Sequence, residues 1–188
     1  MDNVKNLFNI LLSDKPSKLI KDHEKEIFLL IPELEKSKGF NQNNEWHTYD
    51  VYEHILHVVD GVSNNLTLRL AALFHDIGKP YVYKEDENKV GHFYNHWNKS
   101  NEIFLKFCNK FNIPDDLKNK VSKLIVYHDL NFGKLEQNEL QKILKLFSKE
   151  DIKLLFELKK SDLLAQANKY HYLISEYEIQ EKNLLLLK

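Results

Sequence analysis

The sequence predicts an all-α protein. Apolar residues recur three and four positions apart along most of the chain, the spacing that places them on one face of an α-helix. Only five glycines and four prolines interrupt the 188 residues, and 43% of the residues are hydrophobic, enough to bury a core. No internal repeat and no low-complexity tract divides the chain. We therefore expect a single compact bundle of helices.

The N-terminal part carries short amphipathic patterns. Residues 4–12 predict a first helix and residues 18–30 a second. Residues 39–46 are polar and rich in asparagine, which is typical of a linker. The next helix is predicted over residues 47–62, with Asp50 as the cap for its first free amides.

The most apolar stretch of the chain ends in a pair of polar residues. Residues 66–77 predict a helix that is buried on most sides, with His75 and Asp76 in its last turn at the edge of the core. Gly78 can adopt the left-handed conformation that closes a helix, and Pro80 cannot continue one. Taken alone, the pair is better explained as a histidine near the negative end of a helix dipole, beside an incidental aspartate.

The remaining segments return to helical spacing after one interruption. Residues 81–94 break the pattern and predict a small β-hairpin or a flap. Pro114 is expected in the first turn of a later helix, a position that prolines favour. Ser148 with Asp151 resembles a capping box for another helix, and residues 170–188 again have helical spacing.

Charge and cysteine content narrow the classes of function. A formal net charge of −1 provides no general basic field, so nucleic acid would have to be held locally, by metal or a few lysines. Cys108 is the only cysteine, which excludes an internal disulfide and suits a reducing compartment. No signal peptide and no stretch of membrane-spanning length is evident. We expect a cytoplasmic protein without membrane contact, whose oligomeric state stays open.

Six histidines and aspartates interrupt apolar faces or stand at the start of a helix: His54, His75, Asp76, His96, His128 and Asp162. A single histidine on an apolar face is more often a hydrogen-bonded core residue than a ligand. A buried aspartate is different, because an unpaired carboxylate is costly to remove from water. Convergence on one or two divalent ions explains the whole set most simply, and these ligands suit Mn, Fe, Ni, Zn, Co or Mg.

An ordered series of short motifs connects these residues. The segments are Gln42-Asn43-Asn44 with His47, Tyr49-Asp50-Val51, Glu53-His54, His75 to Pro80, Gly91-His92-Phe93, Tyr127-His128-Asp129 and Asp162 to Gln166. The series resembles the HD superfamily of metal-dependent phosphohydrolases. Within that superfamily it is most similar to the HD region of bacterial CCA-adding tRNA nucleotidyltransferases, over residues 5–170.

The resemblance implies that residues 45–188 form the HD domain and that residues 1–44 form a helical lead-in. Those nucleotidyltransferases carry a glycine-rich head with paired catalytic aspartates before this region, and this sequence contains no such segment. We therefore expect a free-standing HD domain that does not add nucleotides by that mechanism. Basic residues are few in the stretch 140–143, which weakens the expectation of tRNA binding.

The resemblance also implies roles for the six residues. A first divalent ion would be held by His54, His75, Asp76 and Asp162. His96 and His128 would complete a second site, with Asp76 as the bridging and catalytic carboxylate. One or two ions are therefore expected as the cofactor.

Three further residues are candidates for contact with a substrate. Lys79 is placed to pair with a phosphate oxygen as a catalytic point charge, and a solvated lysine at a helix end is an equal alternative. His57 and His92 are candidate substrate contacts, although a surface or hydrogen-bonded histidine explains each of them more simply. The aromatic residues between Tyr81 and Tyr94 would stack on a base or pack in the core.

The leading interpretation is a metal-dependent phosphohydrolase that acts on a nucleotide or a 2′,3′-cyclic phosphodiester by direct attack of metal-bound water. One alternative is a nucleic-acid- or protein-binding module derived from a tRNA-processing enzyme, with a structural metal. Another is a phosphatase that acts on nucleoside monophosphates. The expected partner is a small phosphoester or nucleotide, and RNA is less strongly supported.

Overall fold

The computed structural model describes residues 2–188 and confirms the all-α prediction. The chain begins with α1 (Asp2–Leu11), α2 (Pro16–Asp22), α3 (Glu24–Leu30), α4 (Pro32–Glu35) and α5 (Val51–Gly61). The central part contains α6 (Leu66–Phe74), α7 (Lys79–Val82), strands β1 (Lys84–Glu85) and β2 (Gly91–His92), and α8 (His96–Phe111). The last part contains α9 (Asp115–Tyr127), α10 (Gln137–Leu144), α11 (Lys149–Leu164) and α12 (Ile174–Leu186), with 3₁₀ turns at Phe132–Lys134 and Asn168–Leu173. Among these helices, none is long and apolar enough to cross a membrane.

Helix α6 lies at the centre of the bundle. Its residues 68–74 are all buried, and it contacts α1, α5, α8, α9 and α11. The helix begins where the side chain of Asn65 accepts a hydrogen bond from the amide of Leu68 (3.2 Å), which satisfies one free donor of the first turn. Because α6 is covered on all sides, the residues that follow it remain inside the protein. His75 and Asp76 are 0% and 1% exposed.

The end of α6 differs from the prediction. The helix stops at Phe74 rather than at residue 77, and Gly78 has right-handed dihedral angles (φ −79°, ψ −17°) instead of left-handed ones. Glycine is required there for close packing, because a Cβ atom would lie 2.5 Å from the amide nitrogen of Ser100 and 2.7 Å from the carbonyl oxygen of His96. Pro80 does not end α6, which has already stopped at Phe74; it lies in the first turn of α7.

Other helix boundaries are close to the predicted ones. The pattern over residues 18–30 is divided between α2 and α3, which meet at His23. Helix α5 begins at Val51 rather than at residue 47, and Asp50 caps it as predicted: Oδ1 accepts from the amide of Glu53 at 2.7 Å. Pro114 precedes α9 in an extended conformation (ψ 140°) rather than occupying its first turn, because it belongs to the short connection from α8.

The predicted hairpin is present, but it spans fewer residues than the 81–94 expected from the sequence. β1 pairs antiparallel with β2, so that Lys84 lies opposite His92. Tyr81 and Val82, expected near the hairpin, belong instead to α7, where Pro80 favours a helical start. The capping box at the start of α11 is confirmed: the amide of Asp151 donates to Ser148 Oγ (3.0 Å) and the amide of Ser148 donates to Asp151 Oδ2 (2.8 Å).

Candidate metal centre

The fold brings the six predicted histidines and aspartates together in two groups. The first group consists of His54 on α5, His75 and Asp76 directly after α6, and Asp162 on α11. The second consists of Asp76 again, His96 at the start of α8, and His128 directly after α9. Within each group, one possible ligand atom from every side chain lies within 4.8 Å of the others.

Asp76 belongs to both groups because its two oxygens face different histidines. Oδ2 lies 3.2 Å from His54 Nε2 and 3.4 Å from His75 Nε2. Oδ1 lies 3.1 Å from His96 Nε2 and 3.7 Å from His128 Nε2. The first group is closed from the other side by Asp162, whose Oδ1 is 3.0 Å from His54 Nε2.

The four imidazole rings are oriented in the same way. In each ring Nδ1 faces a main-chain carbonyl: those of Ala165 (3.4 Å, from His54), Ala72 (2.8 Å, from His75), Phe93 (2.9 Å, from His96) and Ile125 (2.7 Å, from His128). Because a carbonyl oxygen only accepts, Nδ1 carries the proton, and in the neutral ring Nε2 presents a lone pair. Histidines that bind metals are typically held in this way.

These lone pairs converge closely enough to need a cation. The Nε2 atoms of His96 and His128 are 3.2 Å apart, and those of His54 and His75 are 3.4 Å apart. Asp76 Oδ1 is buried and makes no hydrogen bond within residues 2–188. A cation shared by these atoms would satisfy all of them, and a set of nitrogen and carboxylate donors suits a borderline or hard divalent ion. The residues therefore fit the expected metal.

The electrostatics of the first group favour ionised carboxylates. Burial opposes ionisation, but Lys79 and His75 keep the pKa of Asp76 well below its usual value. Burial likewise opposes the charge on His75, but Asp76 and Asp162 outweigh it and raise the pKa of His75 to about 10. The same two carboxylates would attract a bound cation, which would take the place of the proton on the imidazole.

Lys79 is buried in the centre and is not solvated. It is 5% exposed, and its ammonium group lies 2.6 Å from Asp76 Oδ2, 2.9 Å from Gln42 Oε1 and 3.2 Å from His47 Nε2. An ammonium group has three N–H donors, so the three neighbours account for all of them. The alternative of a solvated helix-end lysine is wrong. Contact with a substrate phosphate would require Lys79 to give up one of these partners.

Gln42 and His47 were not assigned roles from the sequence. Gln42 lies in the polar stretch interpreted as a linker, yet it is only 1% exposed. His47 Nδ1 faces Asn44 Oδ1 (2.7 Å), so its Nε2 is free to accept from Lys79. Burial, together with Lys79, lowers the pKa of His47 to about 2 and keeps the ring neutral. The signal for both residues was their position in the first of the recognised motifs.

Lys159 is a second buried lysine that sequence reasoning missed. It is 2% exposed, and Nζ donates to the carbonyl oxygens of His128 (2.5 Å) and Leu130 (3.0 Å). These bonds hold the segment that carries His128. Burial lowers the pKa of Lys159 to about 8, against the attraction of Asp129 and Asp162. The available signal was its position three residues before Asp162, on the same face of α11.

The centre opens into a cavity of about 550 Å³. Besides the two lysines and ligand residues, its lining includes the aromatic residues Trp46, Phe93, Tyr94, Trp97 and Tyr177. His92 also lines the cavity, as a substrate contact would require. His57 does not: it is exposed on α5, where its ring stacks on Tyr49 with a centroid distance of 4.2 Å.

Comparison with known protein families matches the HD domain to residues 44–153. This is more than half of the chain. The chain belongs to the HD-domain family. Membership in this family associates it with the superfamily of metal-dependent phosphohydrolases.

Two relatives support the predicted likeness of this HD-domain chain to CCA proteins. The multifunctional CCA protein of Shewanella frigidimarina (strain NCIMB 400) is 30% identical over 129 residues. That of Aliivibrio salmonicida (strain LFI1238) is 25% identical over 130 residues. In both cases the match covers 66% of this chain but 30% of the relative, so the likeness concerns less than a third of either relative.

Proposed function

We propose that this HD-domain protein hydrolyses a phosphoester, either a nucleotide or a 2′,3′-cyclic phosphodiester, with one or two divalent ions as its cofactor. The observation that carries the proposal is that the two carboxylate oxygens of Asp76 face two different pairs of histidines. Oδ2 faces His54 and His75, while Oδ1 faces His96 and His128. We assign the first ion to His54, His75, Asp76 and Asp162, and the second to Asp76, His96 and His128.

A divalent ion in such a site supplies Lewis acidity, which activates water near neutral pH and screens the charge of a phosphoryl group. The chain's part is to hold the ligands in place. Lys79 fixes the carboxylate of Asp76, and Lys159 fixes the main chain at His128. Both are therefore positioning residues in this proposal.

Water is the proposed nucleophile, without a covalent enzyme intermediate. No serine, threonine or cysteine is found among the described residues that line the cavity. Cys108 is buried in α8, and burial raises the pKa of its thiol to about 11, so it is a poor source of thiolate. Direct hydrolysis needs no side-chain nucleophile.

The charge of the cavity favours a small substrate over RNA. The two lysines of its lining are 5% and 2% exposed, and both are already hydrogen-bonded. A long polyanion gains affinity from many exposed cations, which this cavity does not present in its described lining. A nucleoside monophosphate is the closest competing substrate, because it requires the same centre.

The proposal is tested by hydrolysis of 2′,3′-cyclic AMP, AMP and a generic phosphodiester with added Mn, Ni, Mg or Fe. We expect turnover with at least one metal, and loss of nearly all of it in His75→Ala and Asp162→Ala. His23→Ala, an exposed histidine at the α2–α3 junction, serves as the control and should retain full activity.

The same assays can also contradict the proposal. If no phosphoester is cleaved with any of the metals, or if Asp162→Ala remains fully active, the enzyme proposal fails. A binding module with a structural metal then replaces it, and RNA gel shifts would be the next measurement.

A further inference from the structure

A second cleft adjoins the metal cavity. Its volume is about 330 Å³, and it is lined by Asn44, Glu45, Trp46, Val90, Gly91 and His92. Trp46, Gly91 and His92 line the metal cavity as well, so the two spaces share a wall. The cleft therefore lies directly beside the cavity that contains the histidines and aspartates.

Trp46 offers an aromatic face to this space. One side of its indole is covered by the ring of Tyr170, with a centroid distance of 3.5 Å and an angle of 15° between the planes. The tryptophan is nevertheless 40% exposed. Tyr170 covers one face of the indole, so only the opposite face is left for a further planar ring to stack on.

His92 provides a second planar group. Its ring is parallel to that of Tyr94, at 4° and with a centroid distance of 5.4 Å. Its orientation is fixed because Nε2 lies 3.0 Å from the carboxylate of Asp86. Trp46 and His92, each stacked on a tyrosine, thus line the cleft.

The walls of the cleft are held by main-chain hydrogen bonds. The carbonyl of Trp46 accepts from the amide of Ala167 (2.8 Å), and the amide of Gly91 donates to the carbonyl of Asn43 (2.8 Å). Gly91 permits this approach, because a Cβ atom there would collide with the main-chain oxygen of Gln42. The main chain that carries the exposed indole is therefore held in place, which lowers the entropy cost of binding a ligand against it.

We infer that this cleft binds the nucleobase of the substrate, with the base stacked on Trp46 while its phosphate lies at the metal centre. The inference rests on the proposed function and refines it to a substrate that carries a base. A planar heteroaromatic ring suits these surroundings, since base–aromatic stacking contributes about 1–3 kcal/mol per base. A phosphoester without a base would gain nothing from the cleft.

Binding can be tested without turnover. The chain has two tryptophans, so the full-length Trp97→Phe protein retains Trp46 as its single tryptophan, whose emission can be excited selectively over that of the tyrosines. Titration with adenosine should quench its emission saturably, and titration with ribose should not. Absence of saturable quenching by adenosine would overturn the inference.

Steady-state kinetics provide a second test of the inference. Trp46→Leu should raise KM for 2′,3′-cyclic AMP about tenfold, within the range of base stacking. It should raise KM for glycerol 1,2-cyclic phosphate by much less, because this cyclic diester has no base to stack on Trp46. Trp46→Phe should restore most of the loss, and Tyr172→Ala, which removes an exposed aromatic residue outside both clefts, should change neither constant. Equal KM values for wild type and Trp46→Leu on the nucleotide would overturn the inference.

The two proposals fail in different ways. If adenosine quenches Trp46 but no phosphoester is cleaved, the base cleft stands and the hydrolase proposal fails. If both substrates are cleaved but adenosine does not bind, the hydrolase stands and the cleft fails. The base can come from a free nucleotide or from the 3′ end of an RNA. Comparison of 2′,3′-cyclic AMP with a short oligonucleotide that ends in the same group identifies the source.

Discussion

Asp76 connects two groups of ligands, so the number of bound ions should depend on single residues. His128 faces Oδ1 of Asp76 at 3.7 Å and belongs only to the second group. We expect His128→Ala to lose one ion and keep the other, while Asp76→Ala loses both. Elemental analysis of freshly purified proteins gives the metal-to-protein ratio that checks this.

His23→Ala is the matched histidine control and should bind as much metal as the wild type. A ratio of one ion per chain in both His128→Ala and the wild type would mean that the centre holds a single ion. In that case His96 and His128 would be hydrogen-bonded neighbours of the site rather than ligands.

Lys79 should matter more for stability than its position after α6 suggested. Its removal leaves the carboxylate of Asp76 without its closest cation, and it leaves the buried Gln42 and the half-buried His47 without their donor. We expect Lys79→Ala to lower the free energy of unfolding by about 3–5 kcal/mol, the range for breaking a buried ion pair. Urea denaturation of metal-free protein measures this.

The control is Lys18→Ala, which removes an exposed lysine paired with Asp22 on α2. Surface pairs of this kind contribute little, so its midpoint should stay close to that of the wild type. If Lys79→Ala unfolds at the wild-type urea concentration, the three contacts do not hold the site together. Lys79 would then be available for the phosphate contact first suggested by the sequence.

The first turn of α11, the helix that carries Asp162, contains the buried carboxylate of Asp151. Asp151 accepts from the amide of Ser148 and from Lys123 Nζ, both at 2.8 Å. Burial opposes its charge, but Lys123 and Ser148 together keep the pKa of Asp151 below its usual value. A lowered folded-state pKa stabilises the protein above the unfolded-state pKa of about 3.9, and that stability is lost as the pH falls through the folded-state value.

We therefore expect Asp151→Ala to cost about 1 kcal/mol at pH 7, as is typical for loss of a helix cap. The difference from the wild type should narrow as the pH falls below about 3.9 toward the lowered folded-state pKa, because the wild-type carboxylate is then progressively protonated. Urea midpoints across this pH range measure it. Asp115→Ala, an exposed first-turn aspartate of α9, should have a smaller effect. A difference that is constant with pH would show that the charge of Asp151 is not involved.

The part of the site that could be predicted lies on regular helices. His54 and Asp162 interrupt apolar faces of α5 and α11, and the histidine–aspartate pair follows the most apolar stretch of the chain. Helical periodicity therefore predicted which polar side chains the core would contain. It could not predict the distances between them, because these depend on contacts between α5, α6, α8, α9 and α11.

The residues that the sequence did not reveal depend on contacts that leave no periodic pattern in the sequence. Gln42 lies in a coil. A polar coil has the sequence pattern of a linker even when, as here, one of its side chains contacts Lys79. Lys159 looks like a surface lysine until its carbonyl partners at residues 128 and 130 are known. The reason for glycine at position 78 lies in α8, some twenty residues further along the chain.

The division into residues 1–44 and residues 45–188 stays a prediction. Helix α1 contacts α6, and the side-chain Oε1 of Gln42 accepts a hydrogen bond from Lys79 Nζ, so the lead-in touches both the core and the site. We therefore expect the two parts to unfold together. Coincident urea transitions measured by far-UV circular dichroism and by tryptophan fluorescence would support this, since both tryptophans lie after residue 44.

Metal should stabilise the whole bundle, because its proposed ligands come from α5, α8, α11 and the segments after α6 and α9. A ligand that binds only the folded state stabilises it by mass action, by about 4 kcal/mol at a thousand times its dissociation constant. For a chain of this length, that corresponds to a rise in Tm on the order of 10 °C. Chelation should lower Tm by such an amount, and added metal should restore it. The Asp76→Ala protein controls for weak surface binding and should have a Tm that is insensitive to both treatments. A wild-type Tm unaffected by chelation and by metal return would contradict a metal centre formed by these residues.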